Sequence, residues 1–183
     1  GGEANAVAIR IARAASGRDG VAVCGYHGWH DWYLSANLSD NDKLAGHLLP
    51  GLSTAGVPKS LKGNVHPFNY NDFSHLSKLV LENDIGVIKM EVIRNVEPSD
   101  DFLQCVRKLA TDKNIVLIFD ECTSGFRSNL GGLHLQYDVL PDLAVLGKAL
   151  GNGYAITAVL GSDEVMSSIS QSFISSTFWT EAI

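Results

Sequence analysis

Apolar residues recur at helical spacing over Ala4, Val7, Ala8, Ile11, Ala12 and Ala15, with Arg10 and Arg13 on the other face and Ser16-Gly17 as a stop. This predicts an amphipathic helix. Val21 to Tyr26 is a short apolar run containing Gly25, which predicts a buried strand entering a loop that carries Tyr26-His27-Gly28-Trp29-His30-Asp31. Residues 35–71 are rich in Gly, Asn, Ser and Pro and predict irregular structure with short turns. From Asp72 the helical spacing resumes at Phe73, Leu76, Leu79 and Val80, and Ile85 to Glu91 reads as a strand. A further helix is expected from Ser99, as N-cap, through Leu103, Val106, Leu109 and Ala110. The most strand-like run, Ile115 to Phe119, ends on Asp120-Glu121. Leu143 to Leu146 and Ala155 to Leu160 add two short strands, and Ser162-Asp163-Glu164 opens a last helix, acids at its positive end. Strands alternating with helices predict an α/β fold, a mostly parallel sheet flanked by helices.

Composition narrows the partners. The 183 residues are 45% hydrophobic, enough for a sizeable core, and carry a formal net charge of −6, which repels a nucleic-acid backbone. No apolar run approaches the roughly 18 residues of a membrane span, so no membrane partner is expected. Cys24, Cys105 and Cys122 are odd in number and widely spaced in apolar segments, which predicts small core residues in a reducing, cytoplasmic setting. The chain opens on Gly1-Gly2-Glu3 directly against a helical pattern, without Met, and is expected to be part of a longer protein.

In open α/β sheets ligands bind at the carboxyl ends of strands. Three places there carry chemistry: Gly1-Gly2-Glu3 opening a helix, Asp120 ending an apolar strand, and Lys148 in a Gly-rich loop after Leu143 to Gly147. A carboxylate ending a buried strand needs a cation or several donors, although Asp120 alone is equally compatible with capping the next turn. Lys148 alone is compatible with a solvated loop, and glycines precede many helices. Together the three suit a cofactor with a phosphate, a ring nitrogen to be kept protonated, and an aldehyde seeking an amine, which describes pyridoxal 5′-phosphate.

Five blocks carry a resemblance: Gly2-Glu3-Ala4-Asn5; Tyr26-His27-Gly28; Phe119-Asp120-Glu121 with Ser124-Gly125-Phe126-Arg127; Pro141-Asp142-Leu143 leading to Leu146-Gly147-Lys148; and Ser176-Thr177-Phe178. In this order and content the chain resembles the class III pyridoxal-phosphate-dependent aminotransferase family, which includes glutamate-1-semialdehyde 2,1-aminomutase. The resemblance implies a fold-type I large domain over residues 1–183, with an N-terminal segment and a smaller C-terminal domain outside this sequence. It implies Lys148 as the Schiff-base lysine and proton carrier, and Asp120 as the partner of the ring nitrogen. Tyr26 is expected to stack on the ring, a contact of about 1 kcal/mol, with His27 and Gly28 completing the loop and Cys122 where the family packs an aliphatic side chain. Backbone N–H groups of Gly1, Gly2 and Glu3 are expected to cup the phosphate; the family has Ser or Thr where this chain has Gly2. Thr177 matches a residue that reaches the neighbouring subunit's phosphate, which implies a homodimer with shared active sites. Glu91 matches a family Glu near the substrate side, with Val92 in place of the usual Pro. A small amino or keto compound is the expected substrate, with the amino group passed between two molecules or moved within one.

Two other readings stay open. His27, His30 and Asp31 in one loop offer ligands to a metal-dependent hydrolase, although they lack the helical His-Glu-x-x-His register. The chain is also compatible with a catalytically inert fragment on the same scaffold.

Overall fold

A computed structural model describes residues 1–176. Helix α1, Gly2–Ser16, buries Ala4, Ala8, Ile9, Ile11 and Ala12 and ends at Gly17, whose φ of 66° lets its N–H close on the Arg13 carbonyl. Strand β1 is Gly20–Cys24, followed by the short helix α2, Asp31–Leu34, and a 3₁₀ turn over Ser35–Leu38. Strand β2, Val65–Pro67, leads to helix α3, Phe73–Glu82, capped by Asp72 accepting the His75 N–H at 2.9 Å. Strand β3, Ile85–Glu91, helix α4, Phe102–Asp112, and strand β4, Val116–Glu121, form the centre. Strands β5, Leu143–Leu146, and β6, Ala158–Gly161, precede helix α5, Asp163–Met166, capped by the Ser162 side chain.

The strands form one sheet in the order β2-β1-β3-β4-β5-β6, parallel throughout except for β6, which runs antiparallel to β5. Strands covered on both faces read as near-continuous apolar runs, which is why β3 and β4 are buried along their whole length. Alternation divides their side chains between two cores. Val21, Val23, Val87, Ile118 and Val145 pack beneath α1, whereas Ile88, Met90, Leu117 and Phe119 pack with Leu76, Leu103 and Val106 of α3 and α4. The period of two therefore places Lys89 and Asp120 on the α1 side, with Val87 and Ile118. Asp142 fixes the start of β5 by accepting the Leu117 N–H at 2.7 Å and Arg107 at 3.0 Å.

Four expectations need correction. Helix α4 starts at Phe102 behind Asp101, because the Ser99 carbonyl takes the Phe102 N–H and makes Ser99 part of a turn. Strand β6 begins at Ala158, since 151–156 turn back through the Tyr154–Gly151 and Ile156–Tyr154 hydrogen bonds. The stretch 35–71 contains β2, which extends the sheet beyond β1. Cys24 and Cys122 are buried as expected, but Cys105 is only half-buried on α4, 3.4 Å from Asp101 Oδ2.

Candidate active site

The register pairs Glu91 with Asp120 and Asp120 with Val145, so β3, β4 and β5 end side by side. Asp120 is 4% exposed. Its Oδ2 accepts from His27 Nδ1 at 2.9 Å, its Oδ1 from the Cys122 N–H at 3.1 Å, and Lys89 Nζ stands 3.9 Å from Oδ2. Burial pushes the carboxyl up, but the Lys89 ammonium and the His27 contact outweigh it and hold Asp120 well below the usual carboxylate range. The site therefore keeps a dry, ionised carboxylate at a strand end.

The loop after β1 is shaped around Glu91. Gly25 has φ 105°, and a Cβ there would come within 2.4 Å of Glu91 Oε2, the atom that accepts the Tyr26 N–H at 3.1 Å. Arg94 engages the same oxygen at 3.4 Å, so Glu91 anchors the loop. Tyr26 is 38% exposed, with the Arg94 guanidinium 5.9 Å from its ring centroid. His27 differs from its expected place. It is fully buried, stacked on Trp32 at 6.5 Å and edge-on to Tyr33 at 5.8 Å, with Nε2 3.1 Å from the Cys24 carbonyl. It stands behind Asp120 and offers no surface to a cofactor ring. Because both its nitrogens are committed, it cannot complete a metal site with His30 and Asp31. Among the described residues no group of three His, Cys, Asp or Glu side chains is placed to hold a metal ion.

Helix α1 begins behind Gly1, with no side-chain cap, and the Gly1 carbonyl takes the Asn5 N–H at 2.9 Å. Its first N–H groups therefore have no intrahelical acceptors and can meet an anion. Glycine is required where this end meets the β1 loop: at Gly28, φ 101°, a Cβ would lie 2.9 Å from Gly2 Cα. A Cβ at Gly1 would stand 3.6 Å from Cys122 Sγ, and one at Gly147 3.3 Å. The Cys122 thiol, pushed up to about 12 by burial and the Asp120 charge, thus marks where α1, β4 and β5 converge. Glu3 is exposed, so its contribution to such a cup is its backbone N–H.

Lys148 follows β5 and Gly147, is exposed, and holds φ 43°. A non-glycine residue held there costs on the order of 1 kcal/mol, a strain that clusters at functional sites. Its Nζ donates to Thr123 Oγ1 at 2.7 Å. The chain between them is tied down by Glu121, fully buried, whose carboxylate accepts the His134 N–H at 2.9 Å, contacts the His134 ring at 2.7 Å, and takes the Ser124 hydroxyl. The structure thus brings together Gly1, Gly2, Gly28, Asp120, Cys122 and Gly147. Lys89 and Thr123 were not singled out from sequence, and Glu121 only as part of the Phe119-Asp120-Glu121 block, with no role; a lone Lys inside the apolar run Ile85–Glu91 was the available signal for Lys89. Thr177 lies outside the described residues.

A mostly parallel α/β sheet whose carboxyl ends gather a buried Asp, an exposed Lys and an open helix N-terminus belongs to the cofactor-binding α/β class of enzyme domains. The family model described as Aminotransferase class-III matches residues 1–183, and the chain belongs to that family. It is 36% identical over 188 residues to the 3-aminobutyryl-CoA aminotransferase of Cloacimonas acidaminovorans, covering 98% of this chain and 41% of that protein. It is 38% identical over 176 residues to a glutamate-1-semialdehyde 2,1-aminomutase of Sulfolobus acidocaldarius, covering 91% and 40%. Among solved structures, the PLP internal aldimine form of the Sphingopyxis sp. MTA144 FumI protein superposes with a TM-score of 0.82 at 26% identity, over 98% of this chain and 42% of that one. An omega-transaminase from Sphaerobacter thermophilus gives 0.77 at 31% identity, over 91% and 40%. The chain spans about two fifths of the length of these relatives.

Proposed function

We propose that this chain is the cofactor-binding part of a pyridoxal-phosphate-dependent enzyme that moves an amino group on a small amino or keto substrate. The observation that carries the reading is the pair of adjacent strand ends: β4 ends on Asp120-Glu121 with Asp120 buried and ionised, and β5, paired with it, ends at Leu146, two residues before the exposed Lys148. The donor set fits the cofactor. First-turn N–H groups of α1 suit its phosphate, Asp120 its ring nitrogen, Tyr26 one ring face, and the buried Cys122, against Gly1 and Gly147, the other. When bound, pyridoxal phosphate supplies a carbonyl for amines and a ring that withdraws electrons from the carbon being deprotonated.

The chain's residues do the rest. Asp120 holds the proton on the ring nitrogen, and its three contacts keep it ionised and unable to swing away. Lys148 Nζ would supply the amine for the cofactor carbonyl and would accept and return the substrate proton. Thr123 Oγ1 positions that amine. The match to Sulfolobus aminomutase supports a second reading, in which the amino group moves within one substrate molecule. The reading includes a homodimer completed by the partner's Thr177 and, with all three cysteines free, a cytoplasmic enzyme; light scattering of the full-length protein tests the dimer.

Borohydride reduction of full-length protein with pyridoxal phosphate, followed by peptide mapping, is expected to place the adduct on Lys148. Label spread over surface lysines would remove the central residue. Product analysis with one labelled amino donor and no keto acceptor separates transfer from internal migration.

A further inference from the structure

Both ring nitrogens of His27 face acceptors, Asp120 Oδ2 at 2.9 Å and the Cys24 carbonyl at 3.1 Å. A carbonyl only accepts, so Nε2 carries a hydrogen, and Nδ1 meets an ionised carboxylate favourably only with a second one. An imidazolium meets both acceptors, a neutral ring only one of them. The same Oδ2 has another basic neighbour, Lys89, which is fully buried, 3.9 Å away, and has a Nζ with no hydrogen-bond partner among the described residues. One carboxylate cannot balance two buried cations, and burial pushes both His27 and Lys89 toward their neutral forms. Of the other groups around the cluster, Glu91 favours both cations, as the smallest of the influences on each. Glu91 is engaged by Arg94 and the Tyr26 N–H, the Cys122 thiol at about 12 stays protonated, and His47, lowered to about 4 by burial and its neighbours, stays neutral.

We propose that Lys89, His27 and Asp120 form a buried cluster holding one mobile proton, shared between Lys89 Nζ and the His27 ring, so that Asp120 keeps one cationic partner at a time and the cluster gives up that proton when a protonated ring nitrogen docks on Asp120. Lys89 and His27 are positioning residues acting through Asp120. The step is a proton loss alone: Lys89 ammonium becomes amine, or His27 imidazolium becomes imidazole, and the proton passes to solvent. This inference rests on the proposed cofactor reading, because it requires Asp120 to face the ring nitrogen.

The test compares two ligands on the full-length apoprotein by calorimetry in buffers of different ionisation enthalpy, at a pH where the free ring nitrogen is protonated. One is pyridoxal phosphate and the other its analogue with C–H in place of the ring nitrogen. Pyridoxal phosphate is expected to release about one proton per chain more than the analogue. The difference persists in Lys89→Met and in His27→Gln and vanishes when both are combined. Equal release from the two ligands in the wild type, or loss of the difference in either single variant, overturns the shared proton. The cluster is also read without ligand, from the ¹⁵N shifts of His27 in the apoprotein. Lys89→Met is expected to move both ring nitrogens to the imidazolium range, and a His27 left neutral overturns the proposal. Failure of pyridoxal phosphate to bind at all would instead sink the functional reading, while the His27 shifts still decide the cluster.

Discussion

Replacing Glu121 by Gln tests how the loop beneath Lys148 is held. The substitution keeps the shape of the side chain and removes its charge, while the His134 N–H, the His134 ring and the Ser124 hydroxyl remain in place. A hydrogen bond to a charged group contributes about 1.5–3 kcal/mol, against about 0.5–1.5 kcal/mol for a neutral pair. Three bonds each weakened by about 1 kcal/mol put the loss at about 3 kcal/mol. With an m-value of about 2–3 kcal/mol/M, the urea midpoint falls by roughly 1 M at neutral pH. Burial raises the Glu121 carboxyl, but its hydrogen bonds from His134 and Ser124 outweigh this and hold it below its ordinary value. A carboxyl depressed in the folded state stabilises the fold above the unfolded-state value of about 4.3, and that contribution is lost as pH falls through the folded-state value. The gap between wild type and Glu121→Gln should therefore be full at neutral pH and close on acidification. An unchanged urea midpoint at neutral pH, or a gap that widens in acid, would refute the assignment of three charge-assisted bonds.

Asp120→Ala should leave the reduced adduct at Lys148 while turnover falls on the order of 10²-fold or more; normal turnover would remove Asp120 from the reaction. Gly28→Ala forces a side chain into φ 101° with its Cβ 2.9 Å from Gly2 Cα. It is expected to cost about 1–3 kcal/mol and to weaken pyridoxal phosphate binding, seen as a smaller ligand-induced rise in melting temperature than the wild type shows. Phe119→Ala empties a fully buried position beneath α4 and should cost about 3–5 kcal/mol in urea unfolding; a loss under about 1 kcal/mol would mean the core closes over the gap. In thiol labelling of the native protein Cys105 alone should react, since Cys24 and Cys122 are buried and pushed up to about 12. Two modified thiols before unfolding would contradict this packing.

Elements with a long, one-sided or continuous apolar pattern were legible in the sequence. Helix α1 and strands β3 to β5 fall where periodicity puts them, because tertiary burial of these segments acts on every residue. Strand β2 was not, since three residues ending in a proline have no period to read. The start of α4 shifted from Ser99 to Asp101 because the competition among Ser99, Asp100 and Asp101 is settled by a turn, not by side-chain preference. For the proposed site, Asp120 and Lys148 stood out because one ends an apolar strand and the other comes just after one. His27 could not be placed correctly, because its burial depends on a contact 93 residues away and on Trp32 folding over it. Lys89 was visible only as an anomaly, and its meaning depends on which strand lies beside β3.

Helix α1 packs against β3, β4 and β5, the last of which ends 130 residues further along the chain. During synthesis at about 5–20 residues per second, the stripe of Ala8, Ile11 and Ala12 emerges roughly 6–26 s before β5 can cover it. For that interval the helix is covered only in part, by β3 and then by β4, and these strands are slow to pair because their contacts are non-local. Cover over α1 is therefore completed only when Leu143 and Val145 of β5 arrive, so a chain that stops short of Leu143 leaves part of that stripe exposed.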